Sequence, residues 1–204
     1  MEKIKFSKQN KKTLLWILIV MVTIIALFVA AYFYTQAQIH FNYKGIEFEA
    51  VNEGTKADPL IFYQTNTILI GSDNQPFGFR IRTKPSDLKK VPFENVENFE
   101  LMKIGGFSFE NNTFNCEGDG IIAMANVYRL FQKTGMQMIT DENASCDSQG
   151  RYNMFEFVYG DKTEIREIGN HCYEVVVKGS EDKCEILPAT EKLMVEIYSK
   201  YGEL

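Results

Sequence analysis

Apolar and polar residues follow two different patterns along this chain of 204 residues. Residues 14–34 form one uninterrupted apolar run, LLWILIVMVTIIALFVAAYFY, which contains no charge, no proline and no glycine. At ~1.5 Å per residue, a helix of this length covers the ~30 Å hydrocarbon core of a bilayer. Beyond residue 38 the apolar residues recur in short runs with strand and helix periods. The pattern therefore predicts a transmembrane helix over residues 13–34 and a folded domain after it.

The residues that flank the apolar run predict its orientation. Residues 1–12 carry five lysines and one glutamate, a local charge of +4. The positive-inside rule places such a tail in the cytoplasm. The run would then act as a signal anchor, residues 35–38 as a short stalk, and the remainder as a domain outside the cell. The predicted location is the cell membrane, with a single span in the lipid bilayer.

Two other interpretations of the N-terminus stay open. A cleaved signal peptide also has a basic start and an apolar run, and Thr35-Gln36-Ala37 has the form of a cleavage site. Its apolar region, however, usually spans only ~7–15 residues. The layout also resembles that of pilin-type subunits, which place a small residue, often glycine, before the run and a glutamate early in it. Here lysines precede the run, and it contains no carboxylate.

Residues 39–98 predict a β-rich first part of the outer domain. The segments with period-two alternation or short apolar runs are 41–43, 46–50, 60–63, 67–70 and 76–84. Lys44-Gly45 predicts a turn between the first two strands. The clearest strand is PFGFRIRTK, residues 76–84, because its apolar residues fall on one face and its basic residues on the other.

Residues 99–204 predict an α+β second part that contains all four cysteines. A β segment over 101–109, broken by Gly105-Gly106, and a strand end at 113–116 precede a helix over 120–134. Asp119 is the predicted cap of this helix and Gly135 its stop. The apolar positions predicted to form its buried stripe are Ile121, Met124, Ala125, Tyr128, Leu130 and Phe131. A strand over 136–140 completes a strand-helix-strand unit, so its two strands are predicted to be parallel.

Three further strands and a second helix follow. The strands are predicted over 152–159, 163–168 and 172–178, and the helix over 188–201. The helix residues predicted to face the sheet are Leu193, Met194, Ile197, Tyr198 and Tyr201. The predicted fold class is therefore α+β: one N-terminal transmembrane helix, then an extracytoplasmic mixed-sheet domain with two main helices packed on the sheet.

The charge of the outer domain argues against a nucleic-acid partner. The whole chain has a formal charge of −5, and removing the +4 tail leaves −9 for the rest. Phosphate binding requires lysine and arginine in excess. A local exception is the basic face of the 76–84 strand, where Arg80, Arg82 and Lys84 are candidates for contact with a protein partner or lipid headgroups. The alternative is an ordinary solvated strand face.

The four cysteines predict two disulfides, because their number is even and all lie on the predicted oxidising side. They are Cys116, Cys146, Cys172 and Cys184. Three pairings are possible, and we prefer Cys116 with Cys146 and Cys172 with Cys184, since the first two follow neighbouring strand ends. Zinc binding is disfavoured, because the cysteines lack close C-x-x-C spacing and the chain has only two histidines.

No motif in the sequence predicts a catalytic residue, a cofactor or a metal ligand set. The polar loop from Asp141 departs from the EF-hand pattern at its sixth and twelfth positions. Asn111 and Asn143 open sequons that a host with the machinery could glycosylate. The predicted function is a non-enzymatic binding or assembly component at the cell surface. The alternative is a membrane-tethered enzyme, either a carboxylate-based hydrolase or a thiol-redox protein that uses Cys116.

Overall fold

The apolar run forms one long helix, α1 (Lys8–Ile39), which continues through the predicted stalk. In this computed structural model, which describes residues 8–109, 114–139, 144–180 and 183–202, the chain divides into two units, Met1–His40 and Phe41–Leu204. Residues Lys12–Gln36 are long and apolar enough to cross a membrane. Their large side chains are exposed, Trp16 by 67% and Phe28 by 73%. An apolar helix that the described residues leave uncovered is suited to lipid.

The first part of the second unit is a four-stranded sheet. Its strands, in spatial order, are β1 (His40–Tyr43), β2 (Ile46–Asn52), β3 (Ile61–Thr65) and β6 (Arg80–Ile81). β2 and β3 are antiparallel, with Phe48 opposite Thr65. The predicted turn at Lys44-Gly45 is confirmed, and both residues have positive φ, as a two-residue hairpin turn requires.

The prediction of one strand over 76–84 was wrong. β5 (Pro76–Phe77) pairs with β4 (Leu69–Ile70), whereas β6 pairs with β3. The change of partner occurs at Gly78, where a Cβ atom would lie 2.3 Å from the Thr65 hydroxyl oxygen. That oxygen accepts the Phe79 N–H at 3.0 Å. The predicted alternation of burial is nevertheless present, since Phe77 and Ile81 are buried and Arg80 is exposed.

The second sheet is mixed and has five strands. In spatial order they are β10 (Glu164–Gly169), β11 (Cys172–Lys178), β9 (Asn153–Gly160), β7 (Ile104–Phe109) and β8 (Gln137–Met138). β10 is antiparallel to β11, and the other neighbours are parallel. The parallel strand-helix-strand unit is thus confirmed, but its first strand is β7. Gly105 and Gly106 do not break this strand; a Cβ atom on Gly105 would lie 2.6 Å from the Met136 sulfur, so the glycine allows close packing.

Helix α3 (Asp119–Thr134) ends at Gly135, as predicted. Its N-cap is Gly118, and Asp119 lies in the first turn, so the capping role predicted for Asp119 was wrong. The predicted buried stripe was half correct. Leu130 and Phe131 are buried and Met124 is half-buried, but Ile121, Ala125 and Tyr128 are exposed. The buried face is completed by Ala123 and Val127 instead.

Helix α4 (Ile186–Gly202) is enclosed on nearly every side. The predicted positions Leu193, Met194, Ile197 and Tyr198 are buried, and Tyr201 is half-buried. Its other buried residues include the charged Glu191, Lys192 and Glu196. Short helices α2 (Pro85–Leu88), Val96–Asn98 and Cys116–Gly118 complete the fold.

Buried polar contacts join α4 to the first sheet. Lys192 Nζ lies 3.1 Å from a carboxylate oxygen of Glu196, and Lys44 Nζ lies 3.3 Å from the other. Lys192 also donates a hydrogen bond to the Tyr43 hydroxyl. The Tyr198 hydroxyl lies 2.6 Å from the Thr67 carbonyl oxygen. Residues 41–98 are therefore part of the same folded unit as the helices.

Two disulfides are present, but the preferred pairing was wrong. Cys116 pairs with Cys184 (Cα–Cα 4.9 Å), and Cys146 pairs with Cys172 (5.6 Å). Cys116 opens the short helix Cys116–Gly118 and does not lie at the end of a described strand. Cys116 instead stands at the start of α3, beside the turn that leads into α4. Cys172 begins β11, the strand next to β9, and so meets Cys146 in the segment before β9.

Peptide mapping without reduction should recover the pairs Cys116–Cys184 and Cys146–Cys172. Replacing both cysteines of the first pair by serine should lower the free energy of unfolding by ~4 kcal/mol. The same replacement in the second pair should lower it by ~3.5 kcal/mol. The first effect is larger because that bridge closes a loop of 68 residues, against 26 for the second. Urea unfolding measures both values. Recovery of a Cys116–Cys146 peptide would contradict the fold.

Lys192→Met should lower the free energy of unfolding by ~3–5 kcal/mol, because it removes a partner of a buried carboxylate. The double variant Lys192→Met/Glu196→Leu should recover part of this loss, since it also removes the carboxylate. Urea unfolding of the two variants and the parent measures the difference. A single variant as stable as the parent would show that the buried pair does not constrain α4.

Candidate functional site

A cleft of about 590 Å³ opens between the first sheet, α3 and α4. One wall is formed by β3, β6 and the segment around β5, with Phe62, Gln64, Ile68, Arg80 and Arg82 among its residues. The opposite wall is α3, and α4 lies at the base. Because four of its lining residues are Arg or Lys, we call it the cationic cleft.

The strand wall contains two of the three basic residues predicted as partner contacts. Arg80 lines the cleft, donates from Nε to the Gln64 amide oxygen at 3.0 Å, and pairs with Glu53. Arg82 also lines the cleft. Lys84 does not; its ammonium lies over the Phe41 ring, 5.1 Å from the centroid. The structure therefore brings Arg80 and Arg82 together and separates Lys84 from them.

The helix wall adds two cations that sequence reasoning missed. Ile122, Asn126, Arg129 and Lys133 all line the cleft, and their spacing of four, three and four residues places them on one face of α3. The signal in the sequence was this spacing. In the sequence alone, however, charged residues on one side of a helix predict a solvated face.

An ion pair stands at each end of the helix wall. Arg82 binds Asp119 in the first turn of α3 at 2.8 Å, and Lys133 in the last turn binds Asp73 at 2.5 Å. Both pairs are partly exposed, so each adds at most ~1 kcal/mol to stability. They link α3 to the residue after β6 at one end and to the β4–β5 turn at the other.

The base of the cleft is apolar. It contains Phe77, Leu130 and Met194, which belong to the buried core. The Phe77 ring packs edge-to-face against Tyr198 of α4, with centroids 5.3 Å apart. A rigid apolar base beneath charged walls suits a ligand that has both apolar and charged groups.

Glu191 is the one carboxylate among the described residues that lines the cleft. Its two oxygens accept the backbone N–H groups of Arg82 and Thr83 at 2.7 and 2.8 Å. Burial raises the pKa of Glu191, while these hydrogen bonds act in the opposite direction. The carboxylate therefore fastens the end of β6 to α4, which positions the Arg82 side chain in the cleft.

The charged side chains that line the cleft are mainly cationic, although carboxylates outside the lining each pair with one of three cations. Its described lining has four cationic side chains and one carboxylate, and that carboxylate is occupied by backbone donors. The acidic partners of the cations, Glu53, Asp73 and Asp119, are not lining residues. Guanidinium and ammonium groups above an apolar base are the donors that carboxylates and phosphates require.

The other candidate positions form no second site among the described residues. Cys116 is bonded to Cys184, so it carries no thiolate. Cys146 and Cys172 lie within 4.8 Å of a Glu156 oxygen, but their sulfurs are bonded to each other. The sequon residues Asn111 and Asn143, and Asp141 in the polar loop, lie outside the described residues.

Comparison with protein-family models, with curated proteins and with solved structures finds no match to this chain. The cleft and the N-terminal helix are therefore the features that bear on function.

Glu191→Ala should lower the free energy of unfolding by ~2–4 kcal/mol, because it leaves two N–H groups without their acceptor. Glu191→Gln keeps one carbonyl acceptor and should therefore lower the free energy of unfolding by less. Urea unfolding compares the two variants with the parent. An alanine variant no less stable than the glutamine variant would contradict the fastening role of the carboxylate.

Proposed function

We propose that this protein is a single-pass membrane protein whose extracytoplasmic domain binds a protein partner in the cationic cleft and performs no catalysis. The observation that carries the proposal is the cleft itself, in which Arg80, Arg82, Arg129 and Lys133 surround an apolar base. The partner supplies acidic and apolar groups that complement this arrangement.

Two features support the membrane anchor and the extracytoplasmic location. The helix Lys12–Gln36 is long enough for a bilayer, and its one hydroxyl near the middle, Thr23, donates back to the Ile19 carbonyl oxygen at 2.9 Å. All four cysteines form disulfides, which persist in oxidising compartments. The basic tail favours a cytoplasmic N-terminus.

The lining of the cleft supports binding over hydrolysis. A glycosidase-type mechanism requires two carboxylates that face the substrate. Among the described lining residues only Glu191 is acidic, and both of its oxygens accept backbone hydrogen bonds. Thiol–disulfide exchange requires that an attacking thiolate reach a sulfur of the bridge, whereas Cys116 is bonded to Cys184 and is only 3% exposed.

External protease added to intact cells should remove a C-terminal epitope tag and leave an N-terminal tag intact. The chain should also stay with the membrane through an alkaline carbonate wash, because α1 is embedded in lipid. The control is the same digestion after the membrane is permeabilised, when both tags should be lost. A C-terminal tag that survives digestion of intact cells would contradict the proposed topology.

The double variant Arg80→Gln/Arg82→Gln should reduce recovery of the cross-linked partner from membranes about tenfold or more, because charge-assisted hydrogen bonds are lost. The matched control is Lys84→Gln/Lys89→Gln, which removes the same charge; these lysines lie over Phe41 and Tyr43 and do not line the cleft. Equal recovery from the two double variants would contradict binding through the cleft.

A further inference from the structure

Arg129 is the cation on the helix wall that has no counter-charge within the described part of the chain. The other three lining cations each have a carboxylate partner: Arg80 with Glu53, Arg82 with Asp119, and Lys133 with Asp73. Arg129 is exposed and stands between the ends of α3, one turn after Asn126. The described cleft therefore presents one guanidinium charge that a ligand can balance.

A guanidinium presents a planar fork of N–H donors that matches the two oxygens of a carboxylate. Arg129 is the one lining cation without a carboxylate partner in the described ranges, and the Glu191 carboxylate also lines the cleft, so a monoanion fits better than a phosphate dianion. We propose that the ligand is an extended protein segment that places an acidic side chain against Arg129 and apolar side chains on the base formed by Phe77, Leu130 and Met194. This inference rests on the proposed binding function and specifies its partner.

The length of the cleft supports an extended segment. Its lining residues on α3 run from Ile122 to Lys133, a distance of ~16 Å at ~1.5 Å per residue. An extended chain advances ~3.3 Å per residue, so about five residues fit along this wall. A small monocarboxylate would contact only part of it.

Side-chain amides on the two walls support a peptide ligand. The Gln64 oxygen accepts from Arg80, and among the described residues no partner is found for its NH₂ group. Likewise no side-chain hydrogen bond joins Asn126 to another residue in the described ranges. An amide that both donates and accepts matches the peptide group.

Apolar side chains at the mouth extend the same surface. Ile68 is 52% exposed on the strand side and Ile122 is 46% exposed on α3, and both line the cleft. The apolar area thus continues from the base to exposed residues on both walls. Apolar residues on both sides of the ligand's acidic residue would cover this apolar area of the cleft.

The test is selection of a randomised heptapeptide library on phage against the full chain in nanodiscs of zwitterionic lipid. The expected result is enrichment of sequences with Asp or Glu flanked by apolar residues. The same selection on Arg129→Gln should lose the acidic enrichment, while selection on Lys84→Gln should keep it, because Lys84 does not line the cleft.

The affinity of one selected peptide then measures how much the Arg129 contact contributes to binding. Arg129→Gln should weaken it about tenfold or more, and the peptide's own Glu→Gln change should weaken it equally. Combining the two changes should add little to either alone, because they remove the same contact. Arg129→Lys should restore part of the affinity, since it keeps the charge and loses the fork.

Three results would overturn the proposal: selection without acidic enrichment, equal affinity of the parent and Arg129→Gln for the selected peptide, or additive effects of the two changes. Binding of 4-phenylbutyrate to the cleft with no peptide enriched would also overturn it. If any of these is found while Arg80→Gln/Arg82→Gln still loses the cellular partner, the ligand class is wrong and the binding function stands. If Arg80→Gln/Arg82→Gln instead recovers the cellular partner as well as the parent does, the proposed binding function is wrong too.

Discussion

The burial of α4 is the constraint on which the folded unit Phe41–Leu204 depends. A helix that is enclosed on nearly every side must find partners for each polar group that it carries, because an unpaired buried charge is strongly destabilising. Glu191, Lys192 and Glu196 find those partners in the first sheet and its turns. The last helix of the chain is therefore held by residues from its beginning, and the two parts of the domain fold around it together.

This constraint also builds the cleft. Glu191 holds the end of β6 and thereby positions Arg82, and Met194 from the next turn contributes to the apolar base. The Tyr198 hydroxyl contacts the backbone on either side of the β4–β5 hairpin, at the Thr67 and Phe77 carbonyl oxygens. The Cys116–Cys184 bridge ties the start of α3 to the segment before α4. Both walls of the cleft are thus fixed to one buried helix.

Local patterns in the sequence predict the elements whose cause is local. The apolar run, the Lys44-Gly45 turn, the Gly135 stop and the strands β9 and β11 follow from periodicity and turn chemistry, and all are present. Features set by long-range contacts could not be predicted in this way. The exchange of partners at Gly78 depends on Thr65, and the disulfide pairing depends on how α3 packs beside α4.

The cleft was only partly predictable for the same reason. Arg80 and Arg82 stood out because they alternate with apolar residues on a strand. Arg129 and Lys133 resembled an ordinary solvated helix face, and only the fold places them opposite the strand. Glu191 and Lys192 belong to residue types that are mostly exposed, and the sequence does not reveal that α4 is covered on its polar side.

Native-state hydrogen exchange of the full chain tests the role of α4 most directly. Amides of β2 and β3 should exchange with the same opening free energy as those of β9 and β11, because all of them are released only when α4 is exposed. If the β2–β3 amides instead exchange through a separate opening several kcal/mol lower in free energy, the two parts of the domain are independent and the account is wrong.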